Sequence, residues 1–191
     1  MPSIKSLLSG LFRASRYARR DRAETIYAAI AAQARQPDPY RDHDVPDTLD
    51  GRFDALCLHV FLTIRRLGRD GDPGAELARD IYDVLFADMD RALREMGVGD
   101  LGVARRVQRM AEALNGRIKA YGAALDDAAD MEGALEAALS RNLYGTVAAP
   151  RPQAVAAVAR YVLACDRRLS AQSFEDLIAR GPDFAEWEPE A

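Results

Sequence analysis

The chain has 191 residues, 49% of them apolar and 29% charged, a balance that excludes a disordered chain and favours one domain with a sizeable core. Its two cysteines, Cys57 and Cys165, form no disulfide framework, which points to a reducing compartment, and no apolar run reaches the roughly 18 residues of a membrane span. The net charge of −4 is uneven: residues 1–20 hold five basic residues and no acid, and the remainder holds 21 basic residues against 30 acidic ones, a basic head on an acidic body.

The head, PSIKSLLSGLFRASRYARR, places Ile4, Leu7, Leu8, Leu11 and Phe12 at helical spacing, with Arg13 and Arg16 among its cations. A cleaved secretory signal fits poorly, because the apolar part is short and no small-residue cleavage site closes it. A transit peptide, a helix lying on anionic lipid and a helix packed on its own domain all need this chemistry, and the three stay open. After Asp21 the helix continues through AETIYAAIAAQAR, with Ile26 and Ile30 one turn apart. Residues 37–52, PDPYRDHDVPDTLDGR, then form a long Pro- and Asp-rich loop.

Phe53 to Ile64 is almost entirely apolar and reads as a buried core helix, with Phe53, Leu56, Cys57, Val60, Phe61 and Ile64 as its seam. The next helix, 75–96, carries Leu77, Ile81, Val84, Leu85, Ala92 and Met96 on one face. Residues 100–125 give the cleanest stripe: Val107, Ala111, Leu114, Ile118, Tyr121 and Leu125. MEGALEAALSRNLYG, residues 152–168 and SFEDLIARG supply three more helices, and residues 182–191 read as an acidic tail. With no strand alternation and no fixed-period repeat, the expected fold is all-α. It has about seven helices: an N-terminal amphipathic helix (1–20) and one helical domain (21–181).

The motifs of chemistry do not close. DGDPG at 70–74 and DMDRAL at 88–93 miss the spacing of a calcium loop, and GVGDLGV follows a helix rather than a strand, so it lacks the context of a dinucleotide fingerprint. Cys57 and His59 are two residues apart on a helix and diverge by about 160°, poor geometry for a shared metal. In the 37–52 loop, Asp38, Asp42, Asp44, Asp47 and Asp50 with His43 leave a small metal-binding protein or enzyme as the alternative reading. Caps and turns are the commoner use of such acids. Arg105, Arg106, Arg109 and Arg117 lack interleaved aromatics on a net acidic domain, a weak case for nucleic acid.

In DMDRALREMGVGD (88–100), EMGVGD reads as a helix stop and restart. Gly97 takes the left-handed position, Val98 folds back toward Leu93, and Asp100 caps the next helix. Asp90 sits with Asp83, Ala87 and Arg94 on the polar face, whereas Asp88 falls within the Val84–Leu85–Ala92 stripe. A carboxylate there needs a partner. The expected partner is an arginine of a neighbouring helix, or backbone N–H groups of the adjacent helix. Arg65, Arg66, Arg91 and Arg141 are the candidates.

Taken together, PDTLDGRFDALCLHVFLTIRRL (46–67), FADMDRALREMGVGDLGVARRVQRMAEALNGRIKAY (86–121) and LEAALSRNLYG (135–145) resemble the ubiquinol–cytochrome c chaperone family. The similarity spans most of residues 24–165. The chain departs from the family at Asn115, where an aromatic often precedes Gly116. The resemblance implies a non-enzymatic assembly chaperone of respiratory complex III that binds newly made cytochrome b, with no cofactor and no small-molecule substrate. Possible further contacts are the ribosome near its tunnel exit and a membrane surface. The Ala-, Arg- and Gly-rich composition implies a bacterial member, in the cytoplasm and peripheral at the inner membrane (the matrix side, were it mitochondrial). The expected client contacts are Phe86, Asp88, Asp90, Arg94, Arg105, Arg109, Arg141, Asn142 and Tyr144. The expected membrane contacts are Ile4, Leu7, Leu8, Leu11, Phe12, Arg13 and Arg16.

Overall fold

The structure is a computed structural model that describes the backbone of residues 4–187 and the side chains of residues 19–187. The side chains of the expected membrane contacts, Ile4 to Arg16, therefore lie outside the described residues. Eight α-helices follow in order, with no strand among the described residues: α1 (Ile4–Ala34), α2 (Asp38–Arg41), α3 (Leu49–Leu67), α4 (Gly71–Glu95), α5 (Asp100–Leu125), α6 (Met131–Asn142), α7 (Pro152–Ala171) and α8 (Phe174–Arg180). The all-α expectation holds, and the count differs by the four-residue α2.

Helix boundaries follow capping chemistry. α3 begins at Leu49, inside the segment read from sequence as loop, because the Thr48 side chain accepts a hydrogen bond from Gly51 N–H at 3.1 Å. α4 begins at Gly71, earlier than the stripe implied, since Pro73 is tolerated in a first turn, where its missing N–H costs nothing. No described helix is long and apolar enough to cross a membrane.

Long-range bonds fix the helix directions. Arg19 pairs with Asp80 and Tyr27 with Asp88, both 61 residues apart, so α1 and α4 run parallel. Arg117 on Asp54 and Arg65 on Asp126, with separations of 63 and 61, set α3 parallel to α5. His59 with Tyr161 and Arg65 with Asp166, separated by 102 and 101, set α3 parallel to α7.

α3 is the central rod, apolar on all sides and buried over most of its length. Its Ala55, Leu58, Phe61 and Leu62 pack into one core with Tyr121 and Leu125 of α5, Leu135 and Leu139 of α6, and Val158 and Val162 of α7. Its Leu56, Cys57, Val60 and Leu67 face a second core built from Ile26 and Ile30 of α1, Ile81 and Leu85 of α4, Leu114 of α5 and Leu177 of α8. One helix thus serves as the shared wall of two cores, which explains why its sequence shows almost no polar stripe.

The 37–52 segment is tied down from outside. Arg151 grips Asp44 through paired bonds of 2.9–3.1 Å, and Tyr144 donates its hydroxyl to His43 C=O at 2.6 Å. Asp44 holds φ 55°, a left-handed conformation that aspartate tolerates. After α8, Gly181 at φ 83° turns the chain, and residues 182–187 run back over α7 and α3 as a strap.

Candidate functional site

The most family-like segment builds an antiparallel α4–α5 hairpin. Its turn is a Schellman motif: Val98 N–H donates to Leu93 C=O at 3.1 Å and Gly97 N–H to Arg94 C=O at 2.9 Å, with Gly97 at φ 80°. The expected capping role of Asp100 is not seen. Gly99 takes the N-cap position without a side-chain bond, and Asp100 enters the first turn and pairs with Arg94, which also holds Asp90 at 2.6 Å. The physical reason is local competition: a guanidinium within reach draws the carboxylate away from the helix amides.

Asp88 is partnered by one of the four expected arginines, Arg91, and by a tyrosine that was not expected. Its neighbour-helix partner is Tyr27 of α1, whose hydroxyl donates at 2.8 Å, and its arginine is Arg91 from its own helix. Parallel packing of α1 on α4 brings a tyrosine, not Arg65, Arg66 or Arg141, to that height. Burial, then the bond to Asp88, raises the Tyr27 hydroxyl pKa well above its ordinary value. Asp88 keeps a side-chain exposure of 20%, and its bond from Tyr27 ties α4 to α1 at the edge of the core.

Along α5 the burial changes midway. Leu114, Tyr121, Ala124 and Leu125 are buried, whereas in the first half Val103 is buried and Val107, Met110 and Ala111 are half-buried. Met96 is 53% and Leu101 is 87% exposed at the turn. Arg105, Arg106 and Arg109 are exposed and have no hydrogen bond or ion pair among the described residues. Arg117, at the point where the packed half begins, reaches Asp54 of α3 at 2.5 Å. Burial outweighs that arginine and pushes the Asp54 carboxyl up to about 6.

Phe86 is half-buried and stacks on Tyr82, with centroids 6.1 Å apart. With Asp88, Asp90, Arg94, Arg105 and Arg109 it belongs to the hairpin. Arg141, Asn142 and Tyr144 do not. Arg141 is exposed at the end of α6, Asn142 donates to Ala138 C=O at 2.8 Å, and Tyr144 is buried against the 37–52 segment.

Four of that segment's five aspartates are engaged: Asp38 and Asp42 by Arg41, Asp47 by Arg52, and Asp44 by Arg151. The arginines hold Asp42, Asp44 and Asp47 below the usual carboxylate range. No group of three or more His, Cys, Asp or Glu among the described residues is placed to hold a metal ion.

Sequence reasoning missed a buried polar relay. Gln33 donates to the Tyr161 hydroxyl at 3.0 Å, and Tyr161 lies 2.8 Å from His59 Nε2. His59 Nδ1 faces Ala55 C=O at 2.8 Å, so Nδ1 carries the proton and Nε2 accepts. Burial lowers the imidazole pKa to about 4. His59 as a core histidine with a local bond was legible. Its tyrosine, 102 residues away, was not.

Three comparisons bear on this chain. A family model described as Ubiquinol-cytochrome C chaperone matches residues 41–187. The crystal structure of the Cbp3 homolog from Brucella abortus is similar at 36% sequence identity and a TM-score of 0.79, covering 94% of this chain and 97% of that one. No curated protein matches.

Proposed function

Because this chain belongs to the ubiquinol-cytochrome C chaperone family, we propose that it is an assembly chaperone of ubiquinol–cytochrome c reductase and that newly made cytochrome b is its client. The observation that carries the choice of surface is the first half of α5. Within about three turns it presents exposed Leu101, half-buried Val107 and Met110, and the unpaired Arg105, Arg106 and Arg109, spread over more than one face of the helix. A membrane-protein client has apolar segments that must be shielded from water before insertion. Flexible methionines such as Met96 and Met110 adapt to varied apolar surfaces, and unpaired guanidinium groups bind carbonyl and carboxylate groups at the margin. Arg94, bonded to Asp90 of α4 and Asp100 of α5, joins the two helices of this grip, and Asp88 ties α4 to Tyr27 of α1. The basic head brings the chain to the bilayer surface or the translating ribosome, on the cytoplasmic side, where the client emerges; one such helix is a reversible anchor.

The test replaces the chromosomal copy with the triple variant Leu101→Glu, Arg105→Glu, Arg109→Glu. Haem b absorbance and ubiquinol–cytochrome c activity should fall toward those of a deletion strain, with thermal unfolding of the purified variant unchanged. Normal haem b and normal activity in the deletion strain itself would sink the reading. Removing residues 3–20 should shift the chain out of the membrane fraction and lower complex III. If both stay put, the head has no recruiting role.

A further inference from the structure

The 37–52 segment, read from its aspartates as a place for a cation, lines a cavity with cations instead. The cavity, of about 530 Å³, opens between the end of α1, α2 and the first turn of α3, and is lined by Arg35, Pro37, Tyr40, Arg41, Asp47 and Arg52. Small-molecule sites run to roughly 300–1,000 Å³, so its size is of that kind. Three guanidinium groups against one carboxylate give the lining a net charge of +2.

Local structure brings these side chains together. α1 stops at Ala34, which leaves Arg35 just past its last turn. The Tyr40 hydroxyl donates to Ala34 C=O at 2.5 Å and seats the ring against that helix end. The Thr48 cap starts α3 at Leu49, and the guanidinium carbon of Arg52 lies 6.0 Å from the centroid of the Tyr40 ring. Two of the arginines are held by acids of their own segment. Arg41 gives Nε and Nη2 to Asp42, at 2.8 and 2.5 Å, and Nη2 also to Asp38 at 3.2 Å, leaving Nη1 without a bond among the described residues. Arg52 gives Nε to Asp47 at 2.6 Å and keeps both of its Nη groups. A guanidinium already fixed in this way loses little rotamer freedom when it binds something else. Arg35 is exposed and has no hydrogen bond or ion pair among the described residues.

We propose that this cavity binds a small phosphate monoester, with the phosphate taken by Arg35, Arg41 and Arg52 and the carbon part lying over Tyr40 and Pro37. Charge and shape select the class. A monoester carries about −1.5 to −2 charges at neutral pH and three acceptor oxygens, which match the net charge of the lining and its three guanidinium groups. A carboxylate or a phosphodiester brings only one charge. Guanidinium forks fit phosphate geometry, and the exposed Asp47–Arg52 pair is weak enough for Arg52 to be shared with the ligand. Asp38 and Asp42, outside the lining, stay on Arg41. The site shares no residue with the α4–α5 grip, and the inference does not depend on the identity of the client.

The experiment titrates full-length protein with glycerol 3-phosphate in low-salt buffer, read by isothermal titration calorimetry. Binding should be saturable and should weaken as salt is added. Arg35→Gln changes an exposed side chain that holds nothing in the fold, and should lower the affinity at least about tenfold with an unchanged thermal melt. Arg52→Gln should do the same, and if its melt falls, Arg35→Gln alone decides. Arg160→Gln, at an exposed arginine of α7 that likewise has no partner among the described residues, should leave the affinity as it is. Glycerophosphocholine, a diester, should bind at least about tenfold more weakly than the monoester. No saturable binding, equal losses in Arg35→Gln and Arg160→Gln, or equal affinity for monoester and diester would overturn the proposal. So would vesicles containing phosphatidic acid that retain the wild type but not Arg35→Gln while the soluble ester fails to bind, since the site would then be one for lipid.

Discussion

The two halves of α5 carry one continuous amphipathic pattern and meet opposite fates. From Leu114 onward the stripe is buried except at half-buried Ile118, while between Asp100 and Ala113 Val103 is buried and Val107, Met110 and Ala111 are half-buried. Periodicity tells where a helix has an apolar face. Whether that face is covered depends on how far the neighbouring helices extend. Here α4 reaches the first half, and the α6–α7 layer packs on the second. The less covered stretch is the part to which the proposed function assigns the client, and the covered stretch anchors the helix in the core.

Truncating one leucine in each half separates their roles. Leu114→Ala, at a fully buried position, should cost roughly 2–5 kcal/mol of unfolding free energy, whereas Leu101→Ala should stay within about 0.5 kcal/mol. Denaturant melts measure both, and similar losses would mean the first half is covered after all.

The second prediction concerns pH and the junction. The Asp54 carboxyl is pushed up to about 6 from 3.8, so the folded state holds a proton the unfolded chain has released. Stability from that proton is full below pH about 3.8, is lost as pH rises through about 6, and amounts to about 3 kcal/mol at most. His59 runs the other way. Its pKa is lowered from 6.5 to about 4, so its contribution is full above pH 6.5 and is lost as pH falls toward 4. Between pH about 4 and 6 the two slopes oppose each other. Asp54→Asn should unmask a steep loss of stability on acidification that the wild type conceals, as read from melts across that range. Parallel pH profiles for both proteins would contradict the assignment.

Smaller effects should follow at the root of the hairpin. Tyr27→Phe removes one bond to a partly buried carboxylate that keeps Arg91, and should cost about 1–2 kcal/mol. Gly97→Ala places a Cβ at φ 80°, and should cost about 1 kcal/mol, since only the backbone conformation is strained and no atom lies within 4 Å of the new carbon. The triple variant Leu101→Glu, Arg105→Glu, Arg109→Glu should change stability least and client handling most.

Much of the fold was legible because its signals are local. The Gly97 turn, the α3 core run and the final Ser173-capped helix depend on residues within a turn or two of one another. The site was only partly legible. Asp88 stood out as an acid on an apolar face, yet its partner Tyr27 lies 61 residues away, and nothing in either segment names the other. Tyr144 was read as a client contact and is buried, because a tyrosine in a family-like motif looks the same whether its hydroxyl faces a partner or the chain's own His43 carbonyl.

The amino-acid pattern by itself therefore determined the helices, their stops and the all-α class, since propensity, capping and periodicity act over a few residues. It also carried the family resemblance, through segments 46–67, 86–121 and 135–145. Tertiary structure decided which half of α5 stays open, which tyrosine meets Asp88, and that Phe184 and Trp187 close over Tyr161 and His59. Those outcomes depend on side chains brought together across long stretches of chain, where burial and hydrogen-bond satisfaction are settled by which helices run parallel and how far each one reaches.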